Sequence, residues 1–364
     1  MTSAPASSSN GQYAVLKPRA RSVSIHASGE EPHGTGAPSR IDRRGSSHKI
    51  AGMVGYGAEG LSLRPLGRTG LEVTPLCVGT GPLGNTPLAH ARFVPLDDAL
   101  ATVRRVLAGP INFLDTSNNY GDAEVRIGMV LRELGGVPEG FVLETKVDRD
   151  MDTGDFSGNR VRRSIVESLE RLGLDRLGLV HLHDPEHISF EEGVGPGGPL
   201  EALLALRAEG LIAHLGVAGG PIELLRRYIR TGAFAVVLTH NRFSLVDQSA
   251  EPLLAEAAEL GVALLNAAPF GGGALAGSEA AKGFYAYRRA GRETLARIDA
   301  LGAACERHGV PLAAAALQFP MREPRIAATL AGCVRPQEVD RLIEHAGRPI
   351  DSELWDELGA LIAA

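Results

Sequence analysis

From residue 61 to the C-terminus, short apolar runs rich in Val, Ile and Leu alternate with amphipathic stretches of about ten to fifteen residues, the βα rhythm of a parallel sheet. Eight runs read as strands: 76–80, 111–115, 141–146, 177–183, 213–218, 235–240, 262–267 and 326–330. Helical stretches lie between and after them at 97–108, 158–172, 199–209, 221–230, 249–260, 292–308 and 336–345. Within 199–209, Leu200, Leu203, Leu204 and Leu206 fall near one face, with Glu201, Arg207 and Glu209 mostly on another, as a helix laid over a sheet requires. Eight such units close on themselves, so the predicted fold class is α/β, a (β/α)₈ TIM barrel. Segments 61–66 and 71–75 flank Gly67-Arg68-Thr69-Gly70 and predict an N-terminal β-hairpin closing the barrel floor.

An open doubly wound sheet would carry a G-x-G-x-x-G turn after its first strand, and Gly79-Thr80-Gly81-Pro82-Leu83-Gly84 has that spacing. Pro82 and Pro87 oppose a helix opening at once. The run therefore reads as a glycine-rich loop on a barrel. Residues 1–60 are rich in Ser, Gly, Pro and Arg and lack apolar periodicity; they read as a disordered tail, with the barrel domain spanning 61–364. Arg43-Arg44 lacks the apolar stretch of an export signal, since Gly52, Gly55, Gly57 and Glu59 interrupt the residues after it, and a start at Met53 would leave the barrel intact.

Composition narrows the classes. Of 364 residues 44% are hydrophobic, yet no window approaches the roughly 18 uninterrupted apolar residues of a membrane span. The net charge of -6, with arginine stretches broken by Glu and Asp, argues against a nucleic-acid partner. Cys77, Cys305 and Cys333 lie far apart and fit neither a metal spacing nor a disulfide framework, which points to a reducing, cytoplasmic compartment.

In a barrel the reacting groups project from the C-terminal strand ends. The second strand ends in Asp115 and runs into Thr116-Ser117-Asn118-Asn119-Tyr120-Gly121, the third ends in Lys146, and the fourth ends in His183-Asp184-Pro185. Singly these read as a turn cap, a loop aromatic, a solvated lysine and a barrel-mouth histidine. Together they suit carbonyl reduction or its reverse, where hydride arriving at a carbonyl carbon leaves an alkoxide that must be protonated. Tyr120 can supply that proton, Lys146 can lower the phenol's pKa from about 10, Asp115 can hold Lys146, and His183 can donate to the oxyanion. His181 shares a strand face with His183, but no third metal ligand can be assigned, so no metal site is expected.

The runs Leu66-Gly67-Arg68-Thr69-Gly70-Leu71-Glu72-Val73, Asp115-Thr116-Ser117 to Tyr120-Gly121 with Glu124 and Gly128, Thr145-Lys146 and Leu182-His183-Asp184-Pro185 resemble signatures of the aldo-keto reductase family. Asn266-Ala267-Ala268-Pro269-Phe270-Gly271-Gly272-Gly273-Ala274-Leu275-Ala276-Gly277 resembles its branch of aldose 1-dehydrogenases, L-galactose dehydrogenase and pyridoxal 4-dehydrogenase. The resemblance implies Asp115, Tyr120, Lys146 and His183 as catalytic residues, a sugar or aldehyde substrate, and NADP or NAD as cofactor. It implies cofactor contacts at Gly81, His240, Pro269, Phe270, Gly271, Gly273, Leu275, Gly332, Arg335 and Glu338, the glycine-rich loop offering backbone amides to the pyrophosphate, with Lys282 and Arg288 nearby in sequence. Gly216-Val217-Ala218-Gly219 stands where Gly-Val-Ser-Asn is common, and His240 where Gln is usual. Arg335 comes one place later than the common arginine and Leu342 replaces an adenine-contacting Asn, so the preference between NAD and NADP stays open. Loops 148–156 and 186–199 are expected to shape substrate selection. A nucleotide-binding regulatory subunit on the same barrel is the alternative, and the intact four-residue set argues against it.

Overall fold

The computed structural model describes residues 55–57, 61–86 and 93–363. Strands β1 (Arg64–Pro65) and β2 (Glu72–Val73) form an antiparallel hairpin through a 3-10 turn at Gly67–Thr69. Next in the chain are β3 (Leu76–Gly79), β4 (Phe113–Asp115), β5 (Val142–Val147), β6 (Leu177–His183), β7 (Ile212–Gly219), β8 (Val236–His240) and β9 (Ala263–Ala267). A second hairpin, β10 (Phe284–Tyr285) and β11 (Arg288–Arg289), precedes β12 (Ile326–Gly332). The eight long strands pair in parallel and close as β12-β3-β4-β5-β6-β7-β8-β9. This is the expected barrel, and β6 has the bounds read from the sequence.

The helices α1 (Leu96–Leu107), α2 (Ala123–Leu134), α3 (Gly158–Leu172), α4 (Phe190–Val194), α5 (Pro199–Ala208), α6 (Ile222–Arg230), α7 (Glu251–Glu259), α8 (Arg292–Arg307), α9 (Leu312–Met321), α10 (Pro336–Gly347) and α11 (Ser352–Ala363) cover the barrel. Of these, α2, α4, α9 and α11 are additions to the seven stretches read from the sequence. The run 79–84 carries on from β3 into a 3-10 turn at Gly81–Gly84, so no α-helix opens there. On α5, Leu200, Leu203 and Leu206 are buried but Leu204 is exposed, because it lies off the stripe that faces the strands.

The first hairpin forms the floor. Leu66 and Val73 are fully buried against interior residues that include Cys77, Phe113, Val142 and Leu179. Arg64 donates to the carbonyls of Met321 (2.8 Å) and Ile326 (2.9 Å), and Arg68 to those of Gly232 (3.0 Å) and Phe234 (2.8 Å). These carbonyls lie at or before the N-terminal ends of β12 and β8, so two arginines tie the hairpin to the end opposite the strand C-termini. Gly67 has φ 55°, and a Cβ there would lie 2.8 Å from the Ala263 nitrogen, so its glycine is dictated by this docking.

The N-terminal tail expected at 1–60 falls outside the described residues except for 55–57, and these three pack on the barrel. Tyr56 lies edge-on to Phe141 with ring centroids 5.9 Å apart, and the Gly57 N–H donates to Pro110. A lone aromatic ring anchors them, a signal that a reading by composition averages away. Among the described residues no helix is long and apolar enough to cross a membrane. The three cysteines are buried and unpaired.

Candidate active site

Tyr120 is set by two close backbone approaches. A Cβ at Gly84 would lie 1.6 Å from the Tyr120 carbonyl oxygen, and one at Gly121, whose φ is 53°, would lie 2.2 Å from the Gly84 oxygen. The Asp122 N–H donates to that same Gly84 oxygen at 2.9 Å. The loop between Asp115 and Tyr120 is held from below: Thr116 N–H donates to Glu144 O (3.0 Å), Arg171 Nη1 to Asn118 O (3.1 Å), and the Asn118 amide to the Ser164 hydroxyl. Glu124, fully buried, accepts from Thr145 Oγ1 at 2.7 Å and from Arg171 at 3.3 Å. A Cβ on Gly128 would strike the Arg171 oxygen at 2.0 Å, so this glycine is what lets α2 approach α3.

The four expected residues converge at the C-terminal mouth. Lys146 is 1% exposed; its Nζ donates to Asp115 Oδ1 and, at 2.8 Å, to Thr116 O, and it sits 4.6 Å from the centroid of the Tyr120 ring. The ammonium thus lies against the Tyr120 ring, where it favours the phenolate. The ring stands edge-on to His183, centroids 6.0 Å apart. Burial opposes the Lys146 charge, but Asp115, Tyr120 and Glu144 outweigh it and hold the ammonium above the ordinary lysine range. Burial pushes the Asp115 carboxyl up to about 6, with Lys146 pulling the other way. The Tyr120 phenol is also pushed up by burial, and Lys146 does not prevail. Lys146 acts in the expected direction, but burial outweighs it and Asp115 adds to the rise.

Two residues that sequence reasoning missed complete the cluster. Asp148, 2% exposed, faces His183 Nδ1 at 2.9 Å and accepts from Ser117 Oγ at 2.7 Å. Burial works against an imidazolium at His183, yet the Asp148 carboxylate raises its pKa above the ordinary value. One layer deeper, Glu144 Oε2 lies 2.9 Å from His181 Nε2, and neither residue is exposed. His181 thus pairs with a carboxylate below the mouth rather than with His183. The signal for both was available, since the period of two that groups His181 with His183 also groups Glu144, Lys146 and Asp148.

The residues expected to hold a cofactor lie on the same face but differ in what they have free. Gly81 packs on the Tyr120 ring. His240 ends β8 and accepts from the Asn241 amide through Nδ1 at 3.1 Å, which leaves the ring proton on Nε2, 3.5 Å from where a Cβ on Gly220 would sit; burial keeps the ring neutral by lowering its pKa. After β9 the amides of Gly271, Gly273 and Leu275 already donate, to Ala268, Phe270 and Phe270, while those of Gly272 and Ala274 form no hydrogen bond among the described residues. Gly271 lies beneath Tyr285, whose ring would sit 2.2 Å from a Cβ there, Pro269 is buried, and the Leu275 side chain is wholly buried. Phe270 is half-buried against the barrel core. A Cβ on exposed Gly332 would meet Pro82 at 3.0 Å. Glu338 accepts the Val334 N–H at 2.8 Å and so closes the first turn of α10, whereas Arg335 at the start of that helix is exposed and has no ion pair among the described residues. Leu342 is a core residue. A neutral imidazole donor, two free amides and one free guanidinium around the mouth fit a dinucleotide.

Comparison with known proteins identifies the family. The model of the aldo/keto reductase family matches residues 75–363. The chain is 31% identical to D-threo-aldose 1-dehydrogenase of a Pseudomonas species, over 79% of this chain and 94% of that protein. It is equally similar to L-galactose dehydrogenase of Arabidopsis thaliana (83% and 94%) and to pyridoxal 4-dehydrogenase of Microbacterium luteolum (81% and 96%). A solved structure from Pseudomonas aeruginosa, provisionally described as an aldo-keto reductase, superposes with a TM-score of 0.57 at 26% identity over 78% of this chain and 94% of that one. The chain therefore belongs to the aldo/keto reductase family, and is an NAD(P)-dependent oxidoreductase of small molecules.

Proposed function

We propose that this oxidoreductase acts on an aldose or a related aldehyde or cyclic hemiacetal, with Tyr120 as general acid in reduction and general base in oxidation. The observation that carries the reading is the buried Lys146 ammonium, 4.6 Å from the centroid of the Tyr120 ring and itself held by Asp115. A bound nicotinamide would supply or accept the hydride, near His240, the Gly272 and Ala274 amides and Arg335. Tyr120 then gives its proton to the alkoxide oxygen as that oxygen gains charge, or removes it in reverse. Lys146 stabilises the phenolate left behind, and Asp115 keeps Lys146 charged and aimed. The sugar-oxidising relatives favour an anomeric hydroxyl as the group oxidised, and the buried, unpaired cysteines favour a cytoplasmic setting.

Direction follows from the titration of Tyr120. Because burial holds the phenol above its ordinary range, the proton is in place through neutral pH, and reduction should not lose its acid there. Oxidation needs the phenolate, so its rate should climb with pH through the alkaline range without levelling near neutrality. The test is a panel of free aldoses and simple aldehydes with NAD and NADP, followed by absorbance of the reduced cofactor. Sugar oxidation rising toward alkaline pH supports the reading; activity confined to aldehyde reduction with NADPH rejects the sugar substrate.

His183 adds a second pH dependence. Its Nδ1 faces Asp148 and its Nε2 lies 3.7 Å from Asp184 Oδ1, so the neutral ring keeps its proton on Nδ1 and leaves Nε2 an acceptor; only the imidazolium can donate from Nε2 to an oxyanion. Asp148 raises the pH to which that donor survives. In Asp148→Asn the support is lost, and the descending limb of reductive kcat/KM should move down by about one pH unit, with a roughly tenfold loss near pH 8. A limb that stays in place would remove Asp148 from this role.

A further inference from the structure

Proton transfer through Tyr120 leaves the deepest polar layer of the barrel unused. Glu144 and His181 sit directly beneath the mouth, on the inward faces of β5 and β6, each one inward position below Lys146 and His183. Both are wholly buried and joined at 2.9 Å. The other Glu144 oxygen, Oε1, is buried without a hydrogen-bond partner of ordinary geometry, and its carboxyl lies close to that of Asp115. The third neighbour, β7, makes room: a Cβ on Gly216 would lie 2.3 Å from His181 Nδ1 and 2.4 Å from its Cε1, so only glycine admits the ring. Three strands therefore cooperate to keep a carboxylate and an imidazole where apolar side chains would pack.

Stability alone does not account for this arrangement. A buried carboxylate is costly to hold away from water, a neutral imidazole donor does not cancel its charge, and even a fully ionic pair is commonly replaced by apolar residues of similar volume without loss of stability. What the pair does possess is a line to the reacting hydroxyl. The groups facing Glu144 are Asp115 on β4, Lys146 on its own strand, His181 on β6 and Cys77 on β3. Those facing Tyr120 are Lys146, Asp115, Asp148 and the edge of His183. Lys146 is the only cation held in common, and it stands between two carboxylates below and one phenol above.

We propose that Glu144, fixed by His181, is a positioning residue for the hydride reaction: it draws on the Lys146 charge from beneath and so sets how acidic Tyr120 is. The inference rests on the acid/base reading of Tyr120. With Asp115 and Glu144 both ionised, the cluster beneath the phenol carries two negative charges against one positive, and the phenolate is disfavoured. Burial pushes the Glu144 carboxyl up to about 7 while Lys146 pulls it down, so it is ionised throughout the alkaline range in which Tyr120 gives up its proton. Burial drives the His181 pKa down to about 3, so the imidazole stays a neutral donor and cancels none of the Glu144 charge.

The experiment uses the full-length chain with Glu144→Gln, which keeps the shape and removes the charge. A second variant, Glu144→Met with His181→Phe, replaces the whole pair by apolar groups. Two readouts are taken: the pH profile of oxidation, and nuclear magnetic resonance of tyrosine labelled at Cζ, with Tyr120 identified by its loss in a Tyr120→Phe background. In both variants the onset of the Tyr120 titration should move down by roughly half to one pH unit, and oxidation near pH 9 should rise about three- to tenfold with substrate KM within about twofold. The resonance arm needs no turnover, so a chain inactive on every substrate would fail the hydride reading while leaving this proposal measurable. An onset unchanged or moved upward in folded protein overturns it. Loss of the fold in both variants would make the pair a structural element, and would overturn it as well.

Discussion

Tyr120→Phe is expected to lower turnover about 10²-fold or more in either direction while nicotinamide nucleotide still binds with an affinity within about twofold of the parent. The substitution removes one oxygen and leaves the framework. The ring remains packed on Gly81 and edge-on to His183, and Tyr120-Gly121 stays docked on Gly84 through backbone contacts that the side chain does not touch. Lys146 loses the phenol but keeps Asp115 and the Thr116 carbonyl, so no buried charge is left alone. The loss should thus fall on the chemical step. Turnover is followed by cofactor absorbance, affinity by quenching of cofactor fluorescence, and integrity by the melting temperature. Near-normal turnover in the folded variant would remove Tyr120 from the acid/base role, and weak cofactor binding would show that the hydroxyl serves the dinucleotide instead.

The barrel was legible because eight apolar runs alternate with amphipathic ones, and a parallel strand buried on both faces can hardly look otherwise. The helices that escaped have local reasons. The stretch Leu312–Met321 is so rich in alanine that it shows no polar face, and Phe190–Val194 is too short for periodicity. The second of these carries a different signal, the capping box of Ser189 and Glu192, in which each side chain bonds the other's backbone. Helix α2 starts directly after the Tyr120-Gly121 turn, so the chemistry of the motif masks the element that comes next. The mouth hairpin of β10 and β11 pairs only two residues on each strand, and nothing in the glycine run 271–273 foretells that Tyr285 and Tyr287 pack on it. The four candidate-site residues were legible because each lies in the last two positions of a strand or in the loop after one. The titration of Tyr120 was not, since it depends on how deeply the ring is buried and on how Asp115 and Glu144, from two strands, divide one buried ammonium.

That division gives Lys146→Met an effect on two observables at once. Without the ammonium the phenolate loses its stabilising charge, and turnover should fall at least as far as in Tyr120→Phe. Stability should fall too, because Asp115 and Glu144, both wholly enclosed, are left facing one another without a cation; breaking a buried pair in this way costs about 3–5 kcal/mol. The loss should depend on pH with a definite sign. In the parent the two carboxyls titrate at about 6 and about 7, burial raising them and Lys146 holding them down. In the variant both rise further, while in the unfolded chain they stay near 3.9 and 4.3. The folded variant therefore holds protons that the unfolded chain releases, so the penalty is absent below about pH 4 and grows as pH rises through the folded values. The gap in melting temperature between parent and variant should be widest near pH 8 and should narrow toward pH 5. A gap of equal width at both would mean that packing of the lysine stem, and not its charge, was lost, and turnover within about tenfold of the parent would show that Tyr120 does not depend on it.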